Sequence, residues 1–435
     1  MLATLGFTMV GCFMLLIMTK KMSTATALLL VPILFGVLAG HAPQLGRMIA
    51  DGMLQVAPVG FTLMFAVLFF SLMLELGLFD PLVGLIVRRV HSDPVRIALG
   101  TALLSLLVGF DGDGTSTALI VIGAFQPIYK RVGMNPAILL TLLALCAAVM
   151  NLTPWGGPLA RAASALHLDP NTIFLPLVPA MLLAAASILL LAWHLGLRER
   201  RRLGLTPAQL RETAAPVAAV AEDGAPRGRR RAANIVLTLV VLVFVLARLV
   251  PLPVSFMVGT ALALLINYPD LQEQHQRLTG QAANAFYTMF LILCAGAFSG
   301  ILAGTGMVDA MGHALIGIVP AALGPYMAAV TALISMPLTF FLSNDAYYFG
   351  LLPVLAGTAA LHGVPAVEVA RASLLGLPVH VLSPLMASFY LVVTMLKLEI
   401  GPAVRFALPW AILCVLILAL GAFLNGAIGV HLVAG

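Results

Sequence analysis

The sequence Gly109-Phe110-Asp111-Gly112-Asp113-Gly114-Thr115-Ser116-Thr117 interrupts a long apolar run with two carboxylates. An aspartate at the centre of a membrane helix costs about 2.5–3.5 kcal/mol on the insertion scale, so it needs a partner or a proton. The three glycines let the backbone leave the helix and expose its amide and carbonyl groups. The hydroxyls that follow open a new helix, whose N-terminus attracts anions. Carboxylates beside such a helix end indicate an anion that travels with a metal ion, with protons, or with both.

The composition around this stretch is that of a membrane protein. Of the 435 residues, 61% are hydrophobic and 9% are charged, whereas soluble domains carry about 25% charged residues. A soluble enzyme, a nucleic-acid binder and a disordered scaffold are therefore excluded. The net charge of +6 gathers between the apolar runs, a pattern that reports orientation in the membrane. We predict an all-α, multi-pass protein of the cell inner membrane, with the lipid bilayer as its surroundings and no nucleic-acid partner.

Several apolar runs are shorter than the roughly 20 residues that a membrane span needs. Because every backbone group must be paired in lipid, half-length helices predict hairpins or broken helices that line a protein-walled cavity. Residues 198–233 differ from the rest, since they are rich in arginine, alanine, proline and glycine. The arginines predict a cytoplasmic linker. It divides the chain into a first half, 1–197, and a second half, 234–435.

The two halves resemble each other in the order of their polar interruptions. In the first half, the break at 109–117 is followed by a second at 151–158. In the second half, the break at 343–345 is followed by one at 380–384. Internal duplication with interrupted helices at matching positions is typical of secondary transporters, and the breaks indicate the binding site.

The break in the second half supplies further polar groups. Ser343 and Asn344 offer neutral donors and acceptors for carboxylate or hydroxyl groups, and Asp345 adds a negative charge. Tyr347 and Tyr348 follow directly; each could donate to a ligand or only pack against neighbouring helices.

The other two breaks contain proline, the one at 151–158 together with glycine, and each carries one titratable or charged candidate. Arg161 follows the break at 151–158. It could clamp a substrate carboxylate, pair with Asp111 or Asp113, or extend toward the lipid surface. His380 could carry protons near neutral pH, or could be a hydrogen-bonded structural histidine.

On these motifs the sequence resembles the citrate–divalent metal–proton symporter family (CitMHS), within the ion transporter superfamily. The resemblance spans essentially the whole chain. It is carried by Asp111-Gly112-Asp113-Gly114-Thr115, Pro127–Met134, Met150-Asn151 with Pro154-Trp155-Gly156-Gly157-Pro158, Ser343-Asn344-Asp345-Ala346 with Tyr348-Phe349-Gly350, and Arg371-Ala372-Ser373 with Pro378-Val379-His380 and Leu382-Ser383-Pro384.

The resemblance implies a symporter, not an enzyme, that imports citrate or a similar tricarboxylate complexed with Mg²⁺ or Ca²⁺ and coupled to protons. The divalent ion would be co-transported cargo, with no permanently bound cofactor. The superfamily implies a homodimeric elevator-type transporter, in which each protomer has two inverted repeats with a re-entrant helical hairpin and a broken helix. The polar segments Arg47–Asp51 and Gln272–Gln276 fit short interfacial helices that support a dimer.

Chelation would mask much of the negative charge of the substrate, so a site with aspartates can accept it. We expect metal-facing or proton-carrying roles for Asp111, Asp113, Asp345 and His380. We expect the substrate oxygens to be held by Gly112, Gly114, Thr115, Asn151, Thr153, Gly156, Gly157, Arg161, Ser343, Asn344 and Ser383.

Three other functions stay open on the sequence. One is a proton- or sodium-coupled carrier of a free dicarboxylate or hydroxy acid without metal. The second is an intramembrane hydrolase that uses two aspartates, and the third is a proton/cation antiporter. Sensitivity of uptake to a chelator separates the first of these from symport of a metal complex.

Overall fold

The computed structural model describes residues 1–90, 93–204, 229–316, 321–383 and 386–429. Within these ranges the chain forms helices and connecting turns, with no β-strand. Most of the arginine-rich linker predicted over 198–233 lies outside the described residues.

The described residues of the first half form nine α-helices. They are α1 (Leu2–Met18), α2 (Thr24–Leu38), α3 (Leu45–Glu75), α4 (Asp80–Val90), α5 (Pro94–Val108), α6 (Gly114–Val132), α7 (Pro136–Met150), α8 (Gly157–Ala165) and α9 (Pro170–Arg202).

Ten further helices follow in the described part of the second half, and a π-helical turn (Ala346–Leu351) leads into the sixth of them. They are α10 (Arg229–Leu246), α11 (Leu252–Asn267), α12 (Leu271–Gly304), α13 (Met307–Ile316), α14 (Met327–Phe341), α15 (Leu352–Ala360), α16 (Ala366–Leu374), α17 (Leu377–His380), α18 (Ala387–Leu396) and α19 (Ile400–Leu424).

The described residues include six helical segments that are long and apolar enough to cross a membrane. They are Ala42–Glu75, Pro94–Asp111, Pro170–Arg202, Leu271–Gly304, Leu323–Phe341 and Ile400–Leu424. The chain is therefore a multi-pass membrane protein.

The long helices α3 and α12 cross closely and run antiparallel. A β-carbon on Gly52 of α3 would lie only 2.1 Å from the carbonyl oxygen of Gly296 on α12, so the two backbones touch. At the other end of the crossing, Glu75 accepts hydrogen bonds from Gln281 at 2.8 Å and from Arg277 at 3.4 Å. This pair forms a rod shared by the two halves of the chain.

The polar segment Arg47–Asp51 is not a separate interfacial helix, contrary to the sequence prediction. It forms the first turns of α3, and the segment at 272–276 likewise begins α12. A helix of 31 residues is about 46 Å long, whereas the hydrocarbon core is about 30 Å thick. The excess length lets the exposed pair between Arg47 and Asp51, at 3.7 Å, lie beyond the apolar layer without a break in the helix.

The helices α5 and α6 form a hairpin that begins and ends at one end of the molecule. Asp93, just before α5, accepts a hydrogen bond of 2.6 Å from Arg200 at the end of α9. The carbonyl oxygen of Gly133, just after α6, accepts one of 2.7 Å from Arg202. We call this the linker end, because α9 leads into the linker there. The α5–α6 pair is called hairpin 1, and its tip is the stretch 109–113.

A second hairpin enters from the opposite end. It consists of α14 and the helical segment 346–360, and its tip is the stretch 342–345. Its two ends meet, since a β-carbon on Gly324 would lie 2.5 Å from Nδ1 of His362. Arg371, soon after this hairpin, donates a hydrogen bond of 2.7 Å to the carbonyl oxygen of Thr172. Because Thr172 begins α9, hairpin 2 enters far from the linker end.

Each half also contains a broken helix beside its hairpin. In the first half, α7 begins at the linker end, where the amide of Asn135 donates to Glu199 at 2.7 Å. After a break at 151–156 the chain continues as α8 toward the opposite end. In the second half, α16 and α17 lead from the opposite end to a break that begins after His380, and α18 starts at Ala387. Near the end of α18, the carbonyl oxygen of Met395 accepts a hydrogen bond from Gln126 on α6 at 2.6 Å.

Candidate functional site

The two hairpin tips and the two helix breaks meet around one cavity of about 420 Å³. Such a volume suits a small organic molecule. The lining includes eleven of the fifteen residues singled out from the sequence: Gly112, Asp113, Gly114, Thr115, Asn151, Gly157, Arg161, Ser343, Asn344, Asp345 and His380.

At the tip of hairpin 1, Asp113 caps helix α6. Its carboxylate accepts hydrogen bonds from the amides of Thr115 and Ser116, at 3.0 and 3.1 Å, and from the Ser116 hydroxyl. The sequence predicted a helix N-terminus that attracts the substrate anion, but an aspartate of the chain itself occupies it, because a short acidic side chain at the N-cap satisfies the exposed amides. Asp113 is nevertheless exposed and lines the cavity.

Asp111 also belongs to the tip of hairpin 1, but its side chain is buried. One carboxylate oxygen accepts the amide of Asp113 at 2.9 Å, and the other, Oδ2, is buried without a hydrogen-bond partner among the described residues. The turn between the two aspartates requires Gly112, whose φ of +80° lies in the left-handed region. Asp111 does not line the cavity, so it is not placed to contact a substrate directly. It lies two residues from Asp113, which does line the cavity.

The first helix break is held against hairpin 1 by Trp155. Its Nε1 donates a hydrogen bond of 2.9 Å to the carbonyl oxygen of Phe110, which satisfies a backbone group at the end of the first hairpin arm. The indole packs against Phe70 of α3 and Phe256 of α11. The break itself turns so tightly that a β-carbon on Gly156 would lie 2.1 Å from the Asn151 carbonyl oxygen.

The second helix break is held to hairpin 2 in the same way. The Ser383 hydroxyl donates to the carbonyl oxygen of Phe340 at 2.6 Å, and Nδ1 of His380 donates to that of Thr339. Both carbonyls belong to the last turn of the first hairpin arm. The other ring nitrogen of His380, Nε2, is buried without a partner among the described residues. The two halves thus use different side chains for one structural task.

Three residues that the sequence placed at the substrate lie behind the lining. Gly156 and Ser383 shape the breaks, as described above. Thr153 is fully buried, and its hydroxyl has no partner within the described ranges.

Arg161 and Asp345 form an ion pair across the cavity. Nε of Arg161, on α8 of the first half, lies 2.6 Å from Oδ1 of Asp345, at the tip of hairpin 2. The sequence left three roles open for Arg161, and the structure gives it a partner that none of them named. Both side chains line the cavity.

At the tip of hairpin 2, the two neutral polar residues keep hydrogen-bonding capacity. The Ser343 oxygen accepts the amide of Ala346 at 3.2 Å, so its own O–H is still available to donate. Oδ1 of Asn344 has no partner within the described ranges. Tyr347 and Tyr348 are fully buried and do not line the cavity, which favours packing for both.

The sequence analysis did not identify the residues of α18 that line the cavity. Ser388 lies in the first turn of this helix and faces hairpin 1, with its Oγ 3.8 Å from the position of a β-carbon on Gly114. The available signal was a polar residue directly after the second break. Apolar lining residues from α7 and α18 complete the wall, namely Leu140, Leu143, Ala144, Ala147, Phe389 and Val392.

The sequence profile of the citrate transporter family matches residues 13–376. The chain belongs to the citrate transporter family. This confirms the resemblance drawn from the motifs, and it makes this family member a membrane transporter and not an enzyme.

Two curated relatives of this family member come from Bacillus subtilis strain 168. A protein named citrate transporter is 44% identical over 428 residues, which cover 98% of this chain and 100% of the relative. A protein named Mg(2+)/citrate complex secondary transporter is 42% identical over 431 residues, which cover 99% and 100%.

Two solved structures share the fold. The YdaH transporter of Alcanivorax borkumensis has a TM-score of 0.55 and 18% identity, with 89% of each chain covered. The MtrF efflux pump of Neisseria gonorrhoeae has a TM-score of 0.56 and 13% identity, with 91% of this chain and 87% of that chain covered. At these identities the likeness concerns the fold alone.

Proposed function

We propose that the protein is a secondary active transporter that imports citrate as a complex with a divalent metal ion, coupled to protons. The observation that carries the proposal is the single cavity at which the tips of hairpin 1 and hairpin 2 meet both helix breaks. The names of the two Bacillus relatives, one a citrate transporter and one a Mg²⁺/citrate transporter, support the substrate.

The charge of the cavity favours a chelated substrate. Three lining side chains carry a full charge, Asp113, Arg161 and Asp345, and the last two neutralise each other. The carboxylate of Asp113 is then the remaining charge, and it repels a free tricarboxylate. A divalent ion bound to citrate lowers the net negative charge of the substrate by two. It also places a cation where the carboxylate of Asp113 can interact with it.

Polar groups around Asp113 have the chemistry to hold the organic part. Thr115, Asn151, Ser343 and Asn344 line the cavity with hydroxyl and amide groups, which suit carboxylate and hydroxyl oxygens. The glycines of the lining, Gly112, Gly114 and Gly157, let the guest approach the backbone closely. The unpartnered Oδ1 of Asn344 accepts the citrate hydroxyl in this proposal.

We assign the transported proton to Asp111. An ionised carboxylate with a buried, unpartnered oxygen is costly away from water, and Oδ2 of Asp111 is such an atom. Binding of the cationic metal at Asp113, two residues away, then favours release of the proton from Asp111. His380 is the second candidate, because its Nε2 is also buried and unpartnered.

Alternating access follows from the arrangement of the helices. We propose that the hairpins and broken helices move as one body against the α3–α12 rod, as in an elevator, with the halves acting as inverted repeats. The opposite entry of the two hairpins and the antiparallel crossing of α3 and α12 support this proposal. The arginine-rich linker end would face the cytoplasm of an inner-membrane protein, and two copies would form a homodimer.

Uptake into proteoliposomes tests the function. We expect uptake of radiolabelled citrate with Mg²⁺ or Ca²⁺ outside and an acidic exterior, abolished by EDTA and reduced by a protonophore. Protein-free liposomes are the control. Uptake that is unaffected by EDTA would instead support the carrier of a free acid, and equal uptake with and without the pH step would contradict proton coupling.

A further inference from the structure

The ion pair between Arg161 and Asp345 joins the two halves of the chain at the cavity. The two residues lie 184 positions apart, and Nε of Arg161 is 2.6 Å from Oδ1 of Asp345. The side chains are only 22% and 17% exposed. A close pair of charges that is shielded from water is screened little by salt, so each group holds the other firmly.

Arg161 is the only lysine or arginine that lines the cavity within the described residues. A guanidinium is the side chain best suited to hold a carboxylate, because it offers a planar fork of donors. In this structure one nitrogen of that fork, Nε, donates to Asp345. The terminal Nη1 of Arg161 also lies within 2.9 Å of the position of a β-carbon on Gly157, so the head group is packed between hairpin 2 and the start of α8.

At the tip of hairpin 2, the carboxylate of Asp345 does not cap the helical turn that follows it. The N-cap of hairpin 1 is supplied by Asp113, whereas at the tip of hairpin 2 the Ser343 oxygen accepts the amide of Ala346. Asp345 has no side-chain cap bond to the following turn. Its carboxylate accepts a hydrogen bond from Arg161, and its function is therefore directed at that arginine.

We propose that Asp345 masks Arg161 and thereby imposes the metal requirement of transport. This inference rests on the proposed function. Because Asp345 neutralises Arg161, no positive charge in the cavity is available to a free tricarboxylate. The substrate must therefore arrive with a cation, as a chelate of a metal ion. Asp345 is in this account a specificity-determining residue that selects the citrate–metal complex over free citrate, and it does not itself bind the metal.

The variant Asp345→Asn tests the masking. Asparagine keeps the size of the side chain, removes its charge and leaves the guanidinium free for a substrate carboxylate. In proteoliposomes with EDTA, we expect this variant to take up radiolabelled citrate at least tenfold faster than wild type. The matched control is Asp51→Asn, which removes an aspartate from the exposed pair with Arg47 on α3 and must keep the metal requirement of wild type.

The double variant R161Q/D345N separates masking from a structural role. It restores the net charge of the wild-type cavity and replaces the partly buried ion pair with neutral groups of similar size. We expect it to lose the metal-free uptake of D345N and to retain measurable Mg²⁺–citrate uptake, which shows that the variant is assembled. If D345N does not elute as a folded protein on size-exclusion chromatography, D345S takes its place, because serine also removes the charge and is smaller than aspartate.

Three results would overturn the inference: D345N that still requires metal, a double variant that takes up metal-free citrate, or a double variant that loses Mg²⁺–citrate uptake. The last would mean that Arg161 or Asp345 contacts the complex directly. Failure of the proposed function gives a different result, since wild type itself would then show no Mg²⁺-dependent citrate uptake.

Discussion

Replacing Asp113 should separate the two tasks that the structure gives to its carboxylate. The side chain caps α6, with two amides and one hydroxyl donating to it, and it lines the cavity as a negative charge. Asparagine is as good an N-cap as aspartate, whereas alanine at such a position costs about 0.5–2 kcal/mol. D113N should therefore fold like wild type but lack the charge that faces the metal, and D113A should lack both.

The magnitudes follow from these contacts. Loss of one carboxylate that faces a metal should lower Mg²⁺–citrate uptake at least tenfold in both variants, which corresponds to about 1.4 kcal/mol or more. Only D113A should melt earlier, by up to about 2 °C in a chain of this size.

The assay pairs initial uptake rates in proteoliposomes with thermal unfolding in detergent. Wild-type uptake by D113N would remove Asp113 from the site, and an unchanged melting temperature for D113A would refute its role as a cap.

Three further changes test the supports of the cavity. G156A places a β-carbon 2.1 Å from the Asn151 carbonyl oxygen, so it should cost at least about 1–3 kcal/mol and abolish uptake; G123A on α6, where a β-carbon meets nothing within 4 Å, should keep wild-type melting temperature and uptake. W155F leaves the partly buried carbonyl oxygen of Phe110 without its donor and should destabilise the protein by about 1–3 kcal/mol; thermal unfolding with no shift would contradict this. D111N should make the rate of uptake independent of external pH, whereas wild type should accelerate as the exterior becomes more acidic; a wild-type pH profile in D111N would exclude Asp111 as the proton carrier.

Local sequence patterns predicted the positions where the helices break. The glycines and aspartates of 109–117 and the prolines of 151–158 cannot continue a helix in lipid, so the backbone must leave it there. These constraints act between residues that are close in the chain, so the positions of the breaks can be predicted from the sequence. The excess length of α3 could not be predicted in this way. The polar sequence of Arg47–Asp51 is compatible both with a separate helix and with the first turns of a longer one.

The partners of the side chains could not be predicted, because they depend on tertiary packing. Arg161 was expected at the substrate or near Asp111 and Asp113, but it pairs with Asp345 from the other half of the chain. The sequence showed that Asp113 is acidic and near a helix start, yet whether it capped that helix or left it open to an anion was a matter of geometry. Trp155 belonged to a recognisable motif and Ser388 followed the second break, but neither position indicated which groups its side chain would meet.

The central claim is that the two hairpins bind the same substrate, the citrate–metal complex, in one cavity. Its most direct test is protection of single cysteines introduced at each tip, as T115C on hairpin 1 and S343C on hairpin 2. Modification by a membrane-permeant maleimide would be read by mass spectrometry of the labelled peptides, with Q276C on the exposed start of α12 as the control.

We predict that Mg²⁺–citrate slows modification of T115C and S343C with the same half-maximal concentration, and leaves Q276C unchanged. Protection of one tip alone, or of neither, would contradict a shared site.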